Sequence, residues 1–421
     1  MSDPSRAAEP EDSVAQRGEF ALIEAIARRL PQGANVEVPP GDDAAVVAID
    51  GASIVVTTDV LVAGVHFRTD WSGPDDIGHR AAAASLADLA AMGADPSALV
   101  VALVAPRETD AAWVLRVADG LRDEAAEVGA SVVGGDVSTG DQISVAVTGI
   151  GGLGGRPPVL RSGAQVGDQL AVAGRLGWAE AGLAVLSRGF RSPRALVDAY
   201  RRPSVPYDRG PAAADSGVHA MCDVSDGLIA DLGHLASRSG VAIDVESELV
   251  EVGEPIAAVA AAYGVDPLSW VLSGGHDHAL VGAFAADRAL PDGFVRIGSV
   301  TERQEGAGEA TADDAGGGSW VTVDGSRWIG AADRIWFEQQ RAAVLEREDL
   351  RVVAINNDRD GYRLVLDKFA EGAIIDRHEA NEVLFDKFFM DDAFRARFLA
   401  YLEATYDDFN ATEGTGSHDE R

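Results

Sequence analysis

Gly41-Asp42-Asp43 and, one apolar run later, Thr57-Thr58-Asp59 are the stretch on which the reading of this chain turns. Pro39-Pro40 stiffen the approach to it. Val46, Val47 and Ile49, then Ile54, Val55 and Val56, are β-branched runs that predict two short strands. Asp43 is expected at the end of one strand-like segment and Asp59 at the start of a loop after the next. Adjacent carboxylates repel, so Asp42-Asp43 points to a bound cation. Taken alone, the motif reads equally well as an ordinary Gly-Asp turn.

Composition narrows the classes. A chain of 421 residues, 47% hydrophobic and 24% charged, holds two or three globular domains. Its net charge of −33 repels phosphate backbones, so direct nucleic-acid binding is not expected. A nucleotide screened by divalent metal is still compatible. No apolar run is long enough to span a bilayer, and the polar start has no signal-peptide pattern, so a cytoplasmic location is expected. The single cysteine, Cys222, excludes an internal disulfide and a CxxC metal site. The only lysines are Lys368 and Lys387. Phosphate chemistry in the body must therefore use metal, arginine, backbone N–H groups and helix N-termini, and a P-loop is excluded.

Other acids recur at turns and in one unusual helix. Pro74 to Met92 is predicted helical, with Pro74 at its start and Gly93 as its stop. Its middle is small and apolar around Asp88, and a carboxylate there is costly unless paired or metal-bound. Val132-Val133-Gly134-Gly135-Asp136 reads as a strand ending in a glycine-rich acidic turn, where backbone can approach a phosphate. Asp223-Val224-Ser225-Asp226-Gly227 precedes a helix over Leu228 to Ser237 and suits either a metal–phosphate site or a simple cap. Arg161 is either a phosphate fork or a surface arginine. His66 sits in a loop after Leu61-Val62-Ala63-Gly64-Val65, as a ligand or as a solvated side chain. His276-Asp277-His278 has the residue types of a transition-metal site but not the spacing.

In organisation, residues 1–17 read as disordered, 18–155 as an ATP- and metal-binding α/β domain and 156–335 as a second α/β domain. Residues 336–421 read as a helical extension with a disordered end. That last segment holds both lysines and eight of the 13 phenylalanines. Helices are expected near Phe337 to Arg347, Asn381 to Phe389 and Asp391 to Tyr406.

In combination these motifs resemble the thiamine-monophosphate kinase family, within the superfamily of aminoimidazole ribonucleotide synthetase. The likeness runs from Gly18 to about Gly330. It rests on Gly41-Asp42-Asp43, Thr57-Thr58-Asp59, Ser85-Leu86-Ala87-Asp88-Leu89, Gly134-Gly135-Asp136, Arg161-Ser162-Gly163-Ala164 and Asp223-Val224-Ser225-Asp226-Gly227-Leu228. The resemblance implies an α/β (α+β) fold of two domains, the first dimerising through its sheet. It implies ATP and thiamine monophosphate as substrates and a homodimer. By the same resemblance Asp43, Thr57, Thr58, Asp59, Asp88, Asp136, Asp223 and Asp226 would hold several Mg²⁺ ions. Gly135, Asp136, Arg161 and Ser225 would contact ATP, and His66 and His276 the acceptor. No catalytic nucleophile is expected.

Two departures stand out. The family pattern after Ser273-Gly274-Gly275 is Glu-Asp, where this chain has His276-Asp277. An imidazole cannot accept hydrogen bonds as a carboxylate does. The family's closing aromatic motif is also altered: Gly330 is followed by Ala331-Ala332-Asp333. A related ATP-dependent enzyme with another acceptor, and an ATP-binding regulator with impaired catalysis, are the competing readings. The extension weakly resembles the end of the motor subunit of type I restriction enzymes, which implies a protein-docking module.

Overall fold

The computed structural model describes residues 36–38, 42–49, 52–303, 320–328, 350–358, 361–370 and 373–376. The expected disorder at 1–17, the three helices expected beyond 336 and the altered motif after Gly330 lie outside them. Residues 30–308 with 317–326 form one compact unit, and residues 327–421 belong to another. In that second unit the described residues form a three-stranded antiparallel sheet, so the extension is not helical throughout.

Two sheets and one buried helix organise the larger unit. The first sheet takes β1 (Val36–Val38), β2 (Ala45–Ile49), β3 (Ala52–Val62), β4 (Asp95–Ala105), β5 (Ser131–Thr139) and β6 (Ser144–Gly152). Their order is β1-β2-β3-β6-β4-β5, with β4 and β5 parallel and the other pairs antiparallel. β6 alternates half-buried and buried residues, which puts Val145 and Val147 on the core face.

Two sequence expectations change here. Asp59 lies inside β3, because the β-branched run continues without a breaker to Val62. The Gly134-Gly135-Asp136 stretch is not a turn. Both glycines stay extended and pair with Val100 and Val101 of β4, and the strand runs on to Thr139. A Cβ on Gly135 would lie 1.8 Å from the Val101 carbonyl oxygen, so the close approach there needs glycine.

Helix α1 (Pro74–Ala91) explains its own composition. One side packs on β3, β4 and β6. The other meets α5 (Arg209–Ser216) and strands of the second sheet, β8 (Ala220–Val224) and β10 (Ala279–Phe284). With neighbours on both sides it has no broad solvent face, and Ala81 to Ala84, Leu86, Ala87 and Leu89 to Ala91 are all buried. Alanine and glycine let backbones come close: a Cβ on Gly210 of α5 would lie 1.9 Å from the Ala90 carbonyl oxygen. Ile77, Leu86, Leu89 and Met92 fill the remaining space, and each such burial contributes about 1.5–3 kcal/mol. Asp76 accepts the Gly73 N–H at the helix start, and Gly93 at φ 71° ends it.

The second sheet adds β7 (Gln169–Ala173), β9 (Ala242–Val245), β11 (Phe294–Thr301), β12 (Val321–Val323) and β13 (Ser326–Arg327). Its order is β13-β12-β9-β11-β7-β10-β8. β8 and β10 are buried along their whole length; β10 reads as a continuous apolar run, and β8 does so but for Asp223. Asp223, the next-to-last residue of β8, is set opposite Leu280. A three-residue loop then leads into α6 (Leu228–Ser239).

The crossing of α1 with α2 (Ala111–Glu127) is closed by a glycine pair. A Cβ on Gly78 would stand 2.1 Å from the Val117 carbonyl oxygen, and one on Gly120 2.1 Å from that of Asp75. Gly120→Val is expected to cost about 2–3 kcal/mol in urea denaturation. A loss below ~0.5 kcal/mol would show that the helices are not in backbone contact.

Candidate active site

Three carboxylates from three distant parts of the chain meet in one place. Oxygens of Asp43, Asp88 and Asp223 lie within 4.8 Å of one another. Asp43 comes from the bend before β2, Asp88 from the last turns of α1, and Asp223 from the end of β8. Each is held by a neighbour. Thr57 Oγ1 on β3 donates to Asp88 Oδ2 at 2.6 Å. Arg161 donates to both Asp43 oxygens, from Nη2 at 2.6 Å and Nε at 3.2 Å. His278 Nδ1 is 2.9 Å from Asp223 Oδ2. On β3, Asp59 accepts from Ser85 Oγ of α1 at 3.0 Å.

The electrostatics of the cluster are unfavourable as it stands. Burial raises the Asp88 pKa well above the usual carboxylate range, and repulsion from Asp59, Asp223 and Asp43 adds to it. Burial pushes Asp43 up to about 7 against the pull of Arg161. Asp59 is raised by burial, with the His278 charge pulling the other way. Such an all-oxygen donor set fits a hard divalent cation, which would reverse the repulsion.

The other sequence candidates fall in several places. Strand alternation turns Thr58 to the opposite face from Thr57, where its Oγ1 donates to the Val147 carbonyl at 3.2 Å. Gly135 and Asp136 sit on the exposed β5, with Ser138 Oγ donating to Asp136 at 2.8 Å. Asp226 is exposed on the loop before α6, beside the half-buried Ser225. Thr58, Asp136 and Asp226 are thus not brought into the three-acid group. Arg161 is an ion-pair partner of Asp43 as well as a candidate phosphate ligand. His66 is half-buried, and its Nδ1 accepts the Val62 N–H at 3.0 Å.

The triplet His276-Asp277-His278 diverges. His278 faces Asp223, while Asp277 Oδ1 accepts the Ala179 N–H at 2.9 Å at the start of α3 (Trp178–Ser187). His276 feels the charges of Arg80, His278 and His66. Burial first, then those charges, push its pKa down to about 3, so its imidazole is neutral at physiological pH. The triplet's loop is pressed against the Asp223 loop. The N–H groups of His276 and His278 donate to the carbonyls of Ser225 and Val224, at 2.7 and 3.0 Å. A Cβ on Gly275 would lie 2.3 Å from the Ser225 oxygen, and one on Gly227 2.6 Å from that of Ser273.

Two members of sequence motifs, Asp42 and His278, take supporting roles, and a third supporting residue, Asp231, is one that the motifs do not single out. Asp42 accepts the Arg161 N–H with both oxygens, at 3.0 and 3.1 Å. Asp231, buried in the first turn of α6, accepts the N–H groups of Asp226 and Gly227 at 3.0 and 3.1 Å. His278 holds Asp223. The one available signal for Asp231 was an acid three residues after Leu228 on an otherwise apolar helix face.

With this geometry in view, the comparisons with known proteins agree on one family. Residues 41–153 match AIR synthase related protein, N-terminal domain, and residues 165–310 match AIR synthase related protein, C-terminal domain. The chain is 45% identical over 318 residues to thiamine-monophosphate kinase of Mycobacterium tuberculosis (strain ATCC 25618 / H37Rv), covering 75% of this chain and 91% of that one. It is 36% identical over 274 residues to thiamine-monophosphate kinase of Escherichia coli (strain K12), covering 62% and 81%. Among solved structures, AaThiL complexed with AMPPCP and TMP superposes with a TM-score of 0.67 at 31% identity, covering 75% of this chain and 96% of that one. The two matched stretches carry the buried helix, most strands of both sheets and all three clustered carboxylates, and the chain accordingly belongs to the thiamine-monophosphate kinase family.

Proposed function

We propose that the protein transfers the γ-phosphoryl group of ATP to thiamine monophosphate, giving thiamine diphosphate and ADP. The observation that carries the reading is the cluster of the buried Asp43 and Asp223 with the half-buried Asp88, in a chain 45% identical to a kinase of that name. An oxygen of the acceptor phosphate attacks the γ-phosphorus in line, and the bond from that phosphorus to the bridging oxygen breaks to release ADP. The attacking oxygen is already ionised near neutral pH, so no side chain has to remove a proton.

The residues' task is then to bring two anions together. Asp43, Asp88 and Asp223 would hold Mg²⁺, with Asp59 beside them. Bound there, the metal would neutralise phosphate charge. Thr57, Ser85 and His278 fix the carboxylates' orientations through the hydrogen bonds given above. Asp231 accepts the N–H groups of Asp226 and Gly227 and so fixes the loop that follows Asp223 at the start of α6. Arg161 and Ser225 with Gly135 and Asp136 are assigned to ATP, and Asp136 and Asp226 to further Mg²⁺, while Thr58, on the opposite face of β3, drops out of the metal set. His66 and His276 are assigned to the acceptor. The divide between a domain over 18–155 and one over 156–335 belongs to the same reading.

A homodimer formed through the first sheet is also proposed. Every residue of β5 is exposed at the sheet edge, including Val133 at 63% and Val137 at 70%. Light scattering is expected to give twice the chain mass. A monomer at tens of micromolar would sink this assembly. No helix among the described residues is long and apolar enough to cross a membrane. The extension over 336–421 is assigned to protein docking rather than to phosphoryl transfer.

The direct assay is formation of thiamine diphosphate from thiamine monophosphate and ATP at saturating Mg²⁺. Robust turnover is expected, and its absence with purified protein would overturn the assignment. Asp88→Asn separates the cluster's two consequences. Removing a half-buried carboxyl repelled by its neighbours is expected to raise the melting temperature of the metal-free protein by ~2 °C or more, while turnover falls at least ~100-fold. In the unsubstituted protein the sign of the pH effect follows from Asp43. Its pKa is raised to about 7, so the metal-free fold keeps a proton there below that pH. Mg²⁺ must displace that proton, so thermal stabilisation by Mg²⁺ is expected to be larger at pH 8 than at pH 6. An equal or reversed effect would remove Asp43 from the metal set.

A further inference from the structure

Glu180 is an acid that the reaction as described does not use. It stands half-buried in the first turn of α3. Burial alone raises its pKa, and no neighbouring charge or hydrogen bond among the described residues pulls it back. The helix dipole favours an acid in this turn, but a glutamate on a free face would gain that without the cost of desolvation. Its side chain is instead fitted against one loop. Gly274 has φ −77° and ψ 132°, values open to any residue, so backbone freedom is not what requires a glycine there. A Cβ on Gly274 would stand 2.5 Å from Glu180 Cβ and 3.0 Å from its Cγ, and 2.3 Å from the Trp270 carbonyl oxygen. The missing Cβ leaves the room that the Glu180 stem takes.

That loop, Gly274 to His278, is tied to two neighbours. The His276 N–H donates to the Ser225 carbonyl at 2.7 Å, in the loop that follows Asp223. Asp277 Oδ1 accepts the N–H of Ala179, the residue before Glu180, at 2.9 Å. Glu180 is thus held beside the loop that carries His276, and that loop adjoins the phosphate side of the site. Where the family pattern has a glutamate, this loop has His276, and a neutral imidazole brings no negative charge. Asp277 does not make up for it: Oδ1 is committed to α3, and Oδ2 is enclosed without a partner among the described residues. On the α3 side of the loop that leaves the carboxylate of Glu180.

We propose that Glu180 supplies the carboxylate that this chain's acceptor loop lacks, and pairs with the positively charged, N–H-bearing ring portion of the acceptor. Thiamine monophosphate offers a thiazolium cation and an aminopyrimidine N–H, and a carboxylate with no counter-ion complements both. The same charge repels a phosphate, so it favours the acceptor lying with its rings toward α3 and its phosphate toward the acid cluster. The inference rests on the assignment of the His276 loop to the acceptor. Glu180 binds the substrate and takes no part in phosphoryl transfer.

Turnover and calorimetric binding of thiamine monophosphate are compared in the full chain, in Glu180→Gln, and in Glu180→Gln combined with His276→Glu. Glu180→Gln keeps the size of the side chain and removes its charge, so the melting temperature without substrate should not fall. KM and Kd for thiamine monophosphate are expected to rise roughly ten-fold or more, the worth of one charged hydrogen bond, with KM for ATP unchanged. Adding His276→Glu should win back most of that loss, because it returns a carboxylate to the loop, and a merely structural role for Glu180 would give no such rescue. A Kd in Glu180→Gln within two-fold of the unsubstituted protein overturns the proposal. So does an equal rise in KM for ATP, or a loss that the added glutamate leaves untouched. Binding of thiamine monophosphate without its phosphorylation would overturn the kinase reading, while the Kd ratio would still decide the role of Glu180. Absence of binding by the unsubstituted protein would overturn both.

Discussion

Mutual repulsion among Asp43, Asp88 and Asp223 is the constraint on which the rest of the unit depends. Three like charges brought within 4.8 Å out of water raise each other's energy, and nothing in packing alone explains why they would be kept. Much of the surrounding structure holds them there. α1 carries Asp88 between the two sheets, β8 ends at Asp223, and the bend before β2 supplies Asp43. The partners of these acids, Thr57, Arg161 and His278, come from still other segments. The cluster therefore needs both sheets in register at once.

The body of the chain has no lysine, and the cationic side chain beside the cluster is an arginine. Arg161 is anchored twice: its N–H lies on Asp42 and its guanidinium on Asp43. The residues around 161 are thereby tied to the bend before β2 by charge as well as by packing.

The sequence made the fold class legible because its signals were local. The small apolar run around Asp88 marked a helix, Gly93 marked its end, and the β-branched runs marked β2 and β3. The clustered acids were legible one by one, through costly burial at Asp88 and through turn chemistry at Asp43 and Asp223. Errors arose where tertiary pairing overrode local punctuation. Gly134 and Gly135 look like a turn, yet β4 holds them extended. Asp59 looked like a loop residue because hydropathy does not show where a strand pairs, and β6 continues to pair beyond it. The roles of Asp42, Asp231 and His278 depend on contacts across 119, 5 and 55 residues, of which only the second leaves a trace in spacing. The triplet 276–278 could not be resolved from sequence, because its three side chains leave the loop in different directions.

The buried helix also fixes a length. Arg80 and Asp88 lie eight residues apart on α1, about 80° apart around its axis, and the helical rise sets about 12 Å between their levels. Packed on both sides, that helix can neither bend nor slide without disturbing two sheets. A molecule reaching from the acid cluster to the neighbourhood of Arg80 is therefore gauged against a rigid rod, and selected by its span as well as by the groups at its ends.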